Sequence, residues 1–269
     1  MEKISVVIPT YNREKTILRA LKSVLDQSYE VFEVIVVDDA STDGTDMIIE
    51  SIKDERIKYV KLDKNGGPSN ARNVGVQLAT GDWVAFQDSD DYWYEDKLEK
   101  QMDYFHKYPE YSMVYCMYQL YFEGTEEGIL FPQQPFPKVM EGEMLNTLLV
   151  QNVIDTPTIL VNRRKFLDVG GFNTDYKALE DWEFVIRFTK ENLIGFVPEP
   201  LMNSYLLGDG VSAKVGAYFE SRCRMLATYR KDMESVGILD TVMRDIFVKA
   251  EQYNAVEGVK KMMMYYLTS

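Results

Sequence analysis

With 269 residues, 46% of them hydrophobic and 27% charged, the chain is long enough to bury a sizeable core and has an ordinary globular composition. That length allows one large α/β domain or a domain with an appendage. A formal net charge of −13 argues against nucleic acid as a partner, and an enzyme this acidic that binds phosphates calls for a metal ion as mediator. Cys116 and Cys223 form no CxxC pair, so neither a disulfide framework nor a zinc site is expected, and the cytoplasm is the expected compartment.

Residues 4–8 form a β-branched run stopped by Pro9, too short for a signal peptide or a membrane span, and no later stretch reaches spanning length. Ile17, Leu18, Leu21, Val24 and Leu25 then recur at helical spacing, with Asn12 as the expected N-cap. A second strand over 34–37 ends in the polar stretch 38–44, before Met47, Ile48, Ile49 and Ile52 resume helical spacing. The third candidate strand, 57–62, leads to Asn65-Gly66-Gly67-Pro68. Pro68 suits the first turn of a helix running to about Ala79, with Gly81 as its stop.

The fourth strand, 83–86, runs without a turn residue into Asp88-Ser89-Asp90-Asp91. If the backbone stays extended, Asp88 and Asp90 point to one side and Asp91 to the other, so two carboxylates converge on one cation. Mg²⁺ or Mn²⁺ fits such oxygen ligands, whereas zinc calls for His and Cys. The alternative is that these aspartates cap a helix beginning near Tyr94. Apolar strands alternating with helices predict a mainly parallel α/β sheet covered on both faces. In such sheets ligands bind beyond the carboxyl ends of the strands. The polar clusters 10–13, 38–43, 65–73 and 88–91 all fall there, which points to a shared phosphate or nucleotide site.

These segments together resemble family 2 glycosyltransferases of the GT-A (Rossmann-like) fold: Ser5-Val6-Val7-Ile8-Pro9-Thr10-Tyr11-Asn12-Arg13, Val37-Asp38-Asp39-Ala40-Ser41-Thr42-Asp43, Asn65 to Asn73 and Asp88-Ser89-Asp90-Asp91. Gly170-Gly171-Phe172-Asn173 and Leu179-Glu180-Asp181-Trp182-Glu183-Phe184 resemble the same family's acceptor-side motif, so the likeness spans about residues 3–210. It implies a metal-dependent, inverting transferase that uses a nucleotide sugar, expected to be UDP-linked. The implied acceptor is a glycan or lipid-linked molecule in cell-surface polysaccharide synthesis. Asp90 is the implied metal ligand, with Asp88 on the ribose or a metal-bound water, and the cofactor is Mn²⁺ or Mg²⁺. Pro9, Tyr11 and Arg13 flank the nucleotide, Asp39 binds the uracil or ribose, and Arg72 faces the diphosphate. Asp181 is the implied base. Trp182 offers a face for an acceptor sugar, and Glu180 supports the acceptor loop or the metal site.

Two features depart from the family pattern. Many relatives carry a His near 205–212, where this chain has none, so Asp209, Ser212 or an extra water takes its place; the single histidine, His106, reads as a surface residue. Gln87 stands where an apolar residue is more usual. Residues 117–150 read as a loop-bearing region over the acceptor side. The expected division is 1–215 as catalytic domain, with 1–115 the nucleotide half and 116–215 the acceptor half, followed by a helical extension over 216–269. That extension carries 8 Lys and Arg against 7 Asp and Glu, which leaves −14 on residues 1–215. Two or three helices separated near Gly237 are expected, packed on the catalytic domain, forming a homodimer, or resting on the inner face of a membrane; residues 262–267 form an apolar patch if uncovered. The rival readings are a sugar-nucleotide nucleotidyltransferase, which calls for a Gly-rich basic loop after the first strand, and a catalytically idle nucleotide-binding or scaffold protein.

Overall fold

The computed structural model describes residues 2–206 and 215–268. Strands β1 (Ile4–Thr10), β2 (Glu33–Asp38), β3 (Ile57–Lys61) and β4 (Trp83–Phe86) pair in parallel in the order β3-β2-β1-β4. Every residue of β1, β2 and β4 is buried, as strands covered on both faces must be. The crossovers are α1 (Ile17–Leu25), α2 (Thr45–Ser51) and α3 (Pro68–Leu78). Alternation along the strands splits the core in two. Val7, Ile35, Val37 and Phe86 meet Ala71 and Val76 of α3, while Ile4, Val6, Ile8 and Val36 meet Ile17, Leu21 and Val24 of α1. Helix α3 lies so close to the sheet that a Cβ on Gly75 would stand 2.3 Å from Val7 Cγ1, so only glycine fits there.

The second half adds β5 (Tyr92–Trp93), α4 (Lys97–Lys107), β6 (Met113–Phe122), β7 (Ile129–Phe131), α5 (Leu145–Val150), β8 (Leu160–Asn162), α6 (Arg163–Val169), α7 (Glu180–Thr189) and β9 (Ile194–Leu206). The sheet continues from β4 as β8-β6-β9-β5, with β7 paired to β6. Here β6 and β9 are parallel, while the shorter ladders β4/β8, β6/β8, β6/β7 and β5/β9 are antiparallel. The long ladders are thus the parallel ones, with helices on both faces, as the sequence predicts. The region predicted as loops begins inside β6, which runs on to Phe122.

Two helix starts differ from expectation. Asn12 does not cap α1: it adopts φ 53° and its Oδ1 accepts from the Thr42 N–H at 2.8 Å, while Thr16 precedes the helix without a side-chain cap. Helix α4 begins at Lys97 rather than near Tyr94, and the aspartates of the 88–91 cluster do not cap it. His106 is on the surface as expected, 56% exposed and 3.2 Å from Glu2.

Lys97 itself is wholly buried. Its Nζ donates to Gln101 Oε1 at 2.6 Å and sits 4.1 Å from the centroid of the Trp93 ring. Burial brings its pKa down to about 8. A lysine in the unfolded chain titrates near 10.4, so between these values the unfolded state binds a proton that the folded state lacks, and stability rises with pH. Lys97→Met keeps the length without the charge. It is expected to stabilise the protein at pH 7 by about 2 kcal/mol, less than the ~1.4 kcal/mol per pKa unit implies because the Gln101 and Trp93 contacts go too. Urea unfolding at pH 7 and pH 10 checks this: the gain should shrink at the higher pH, and an equal gain at both refutes it.

Beyond the undescribed residues lie α8 (Val215–Thr228), α9 (Arg230–Ser235), α10 (Leu239–Gln252) and α11 (Val256–Thr268). Four helices stand where two or three are predicted. Gly237, at φ 70°, does separate α9 from α10, but Tyr229 and Asn254, the latter at φ 52°, introduce further breaks. Phe219, Cys223, Leu226, Val242 and Ile246 join the core cluster that contains Trp182 and Phe184. Met262, Tyr266 and Leu267 pack partly against it, which leaves Met264 and Tyr265 as the exposed members of the 262–267 patch. Among the described residues no helix is long and apolar enough to cross a membrane.

Candidate active site

The loops after β1 and β2 are stitched together by short polar side chains. The Asn12 N–H donates to Ser41 Oγ and the Arg13 N–H to Thr45 Oγ1, both at 2.9 Å. Pro9 is buried in β1 opposite Val37, whereas the Tyr11 ring is 44% exposed at the mouth of this edge. Asp39 is buried and ties the next loop down: its two oxygens accept the Gly66 and Gly67 N–H groups at 2.8 and 2.7 Å. Gly67 takes φ 86°, which favours glycine, and Pro68 follows at the start of α3.

After β4 the chain does not stay extended. The Asp91 N–H donates to the Asp88 carbonyl at 3.1 Å, so 88–91 is a turn and its carboxylates diverge. Asp88 Oδ1 accepts from Arg72 Nη2 at 2.6 Å, and Asp90 Oδ2 lies 3.4 Å from Arg13 Nε. Arg19 Nη2 donates to the Asp90 carbonyl while its guanidinium covers the Tyr205 ring at 4.1 Å. Asp91 points inward and accepts the Tyr205 N–H at 3.0 Å; burial, with the charges of Asp88 and Asp90, pushes its pKa well above the carboxylate range. Beside the turn, Gln87 is buried with neither side-chain amide atom hydrogen-bonded.

Arg72 joins the two halves. It is 5% exposed, and its Nη1 donates to Glu180 Oε1 at 2.9 Å while Nη2 holds Asp88. Burial opposes its charge, but Asp88 and Glu180 more than offset this, so its pKa lies above the ordinary value. Glu180 opens α7 after Leu179, which has φ 59°, and its carboxylate is engaged by Arg72 rather than free for an acceptor. Asp181 is half-buried in the first turn. Its Oδ1 accepts the Trp182 N–H at 2.6 Å, and its Oδ2 accepts from Asn152 Nδ2 at 3.3 Å. Burial, Asp155 and Glu180 hold its pKa well above the carboxylate range.

Trp182 does not offer a sugar platform. It is 4% exposed, its Nε1 donates to the Leu148 carbonyl at 2.5 Å, and the Arg222 guanidinium lies 4.2 Å over its ring. Asp209 and Ser212, the substitutes proposed for the missing histidine, lie outside the described residues. Sequence reasoning also missed Asn152, Asp155 and Tyr118 beside Asp181. They occupy an unpatterned polar segment and the middle of an aromatic strand, so no local motif marks them.

Among the described residues no group of three or more His, Cys, Asp or Glu side chains is arranged to hold a metal. What the turn offers is two carboxylates, Asp88 and Asp90. That donor set fits a hard divalent cation that completes its shell with water and phosphate oxygens.

An α/β sheet with acidic and basic groups gathered beyond its parallel strand ends is the architecture of a nucleotide-dependent transferase. Residues 5–171 match the sequence model of glycosyl transferase family 2, and the chain belongs to that family. An uncharacterised glycosyltransferase of Haemophilus influenzae is 44% identical over 71% of this chain and 73% of its own length. The UDP-Glc:alpha-D-GlcNAc-diphosphoundecaprenol beta-1,3-glucosyltransferase WfaP of Escherichia coli is 37% identical over 54% of this chain and 56% of its own. The crystal structure of S. aureus TarS in complex with UDP-GlcNAc superposes with a TM-score of 0.70 at 27% identity, covering 84% of this chain and 66% of that one. Other relatives are longer: this chain spans 62% of a second H. influenzae glycosyltransferase and 33% of one from Rickettsia conorii. The family's members include proteins of polysaccharide biosynthesis.

Proposed function

We propose that the chain is a metal-dependent inverting glycosyltransferase that moves a sugar from a UDP-linked donor to a glycan or lipid-linked acceptor in cell-surface polysaccharide synthesis. The observation that carries this reading is the Arg72 bridge. One guanidinium holds Asp88, on the donor-side turn, and Glu180, the neighbour of Asp181, so the two halves of a displacement reaction share one site. In that reaction the acceptor oxygen bonds to the anomeric carbon and its proton passes to an Asp181 oxygen. The bond from the anomeric carbon to the diphosphate breaks, and its electron pair leaves with UDP. Asp90 and Asp88 would hold Mg²⁺ or Mn²⁺, which when bound offsets charge on the departing diphosphate. The exposed Tyr11, with Pro9, Arg13 and Asp39, would line the nucleoside, and Arg72 would face the diphosphate. The UDP-GlcNAc complex of TarS supports the choice of nucleotide, and the printed name of WfaP supports a lipid-linked diphosphate acceptor.

Calorimetric titration of UDP, UDP-glucose, UDP-galactose and UDP-N-acetylglucosamine, with Mn²⁺ and with chelator, tests this. Binding is expected only with metal and is expected to disappear in Asp90→Asn. Equal binding with and without chelator would refute the metal role, and failure of all four ligands to bind would refute the donor.

A further inference from the structure

We infer that Asp155 is a positioning residue for the proton-accepting carboxylate, forming with Asp181 a carboxyl pair that fixes where Asp181 points and how strongly it takes a proton. This rests on the reading of Asp181 as the base. The pair is built from the backbone up. The Thr158 N–H and Oγ1 both donate to the Asp155 carbonyl, at 3.0 and 2.6 Å, which locks the short 3₁₀ turn Thr156–Thr158 ahead of β8. From β6 the buried Tyr118 reaches across, and its hydroxyl donates to Asp155 Oδ2. Asn152 is pinned from below: its Oδ1 accepts the Ile154 N–H at 3.1 Å, which leaves Nδ2 to donate to Asp181 Oδ2 at 3.3 Å. Asp181 Oδ1 is already held by the Trp182 N–H. The two carboxyls are themselves hydrogen-bonded, so a proton lies between them.

Two carboxylates this close in a half-dry site cannot both ionise freely; one proton belongs to the pair. Tyr118 decides how it is shared. As a fixed donor to Asp155 it favours charge there, and the ionised Asp155 in turn raises the proton affinity of Asp181. The other charged groups facing the pair are Glu180 on α7, Arg72 from α3 and Asp88 from the turn after β4, with Asp91 acting on Tyr118. Glu180 and Arg72 neutralise one another, so Asp155 is the unbalanced neighbour of the base.

The test uses the full chain, with UDP-glucose or UDP-N-acetylglucosamine as the probe and water as the acceptor, following UDP release against pH. Asp155→Asn still accepts from Tyr118 but donates to Asp181, so it should weaken the base. Expected are unchanged UDP affinity, turnover at least tenfold lower, and an acidic limb moved about one unit or more to lower pH. Asp155→Glu keeps the charge but displaces the carboxyl; it should lose turnover while leaving the limb near its wild-type position, and it serves if the Asn variant does not fold. A wild-type limb and rate in Asp155→Asn would overturn the inference, as would losses of UDP affinity and turnover in parallel. Asp181→Asn run alongside separates the two claims. If it keeps full turnover, the base reading falls and the pair with it; if it is inactive while Asp155→Asn behaves as wild type, only the role of Asp155 falls.

Discussion

Asp181→Asn is expected to bind UDP as the unaltered protein does and to turn over about 10²–10⁴-fold more slowly, the range a positioned base contributes. The substitution is close to isosteric. Its side-chain oxygen can still accept the Trp182 N–H, now at 2.6 Å, and its amide can donate to Asp155, so little of the local geometry changes. What vanishes is the capacity to take a proton. Stability should move the other way. The pKa of Asp181 is raised in the folded protein, by burial first and then by Asp155 and Glu180. Above the ordinary carboxylate range the folded state therefore holds a proton that the unfolded chain has released, and that contribution is lost as pH climbs through the folded value. The Asn variant has no such loss, so its melting temperature relative to the unaltered protein should rise with pH. Calorimetry, UDP release and thermal melts at several pH values measure all three. Undiminished turnover sinks the base assignment.

How far the sequence carried depends on the range of the forces concerned. Strand and helix identities in residues 4–86 follow from local patterning: β-branched runs end at Pro9 and at polar clusters, and Pro68 stands at the first position of α3. The edge on which the site lies was legible for the same reason, because a parallel sheet sends every strand-to-helix loop to one side. Side-chain roles were less so. Asn12 has the spacing of a cap, but the left-handed conformation at that residue turns its side chain to Thr42, a contact no local pattern encodes. The alternation rule for Asp88 and Asp90 fails because Arg72 and Arg13 draw them apart across a turn. Trp182 looked like a platform because it follows Asp181. Its fate is set by Arg222 on a helix from the far end of the chain. Glu180 was placed correctly near the acceptor side, but its Arg72 partner makes it a strut. Asp155 carried no local signal, since its meaning comes only from the carboxyl it meets.

Arg72→Met carries the second large effect, and it should strike stability and binding together. Removing one partner of a buried ion pair strands the other charge, at a cost of about 3–5 kcal/mol when burial is complete. Here the side chains of Asp88 and Glu180 are 30% and 13% exposed, so the lower end, about 3 kcal/mol, is expected. UDP affinity should fall below detection, because Asp88 loses the contact that orients it and the diphosphate loses its facing cation. Arg72→Lys separates charge from geometry. A single ammonium cannot fork to Glu180 Oε1 and Asp88 Oδ1 at once, so it should restore part of the stability and little of the binding. Adding Glu180→Gln to Arg72→Met removes one of the stranded charges and should recover stability without recovering UDP affinity. If the double variant binds UDP as the unaltered protein does, Arg72 acts only as a structural counter-ion and the donor site owes it nothing. If stability returns and binding does not, the guanidinium has two separable functions: neutralising a buried acid on α7 and presenting positive charge to the leaving diphosphate.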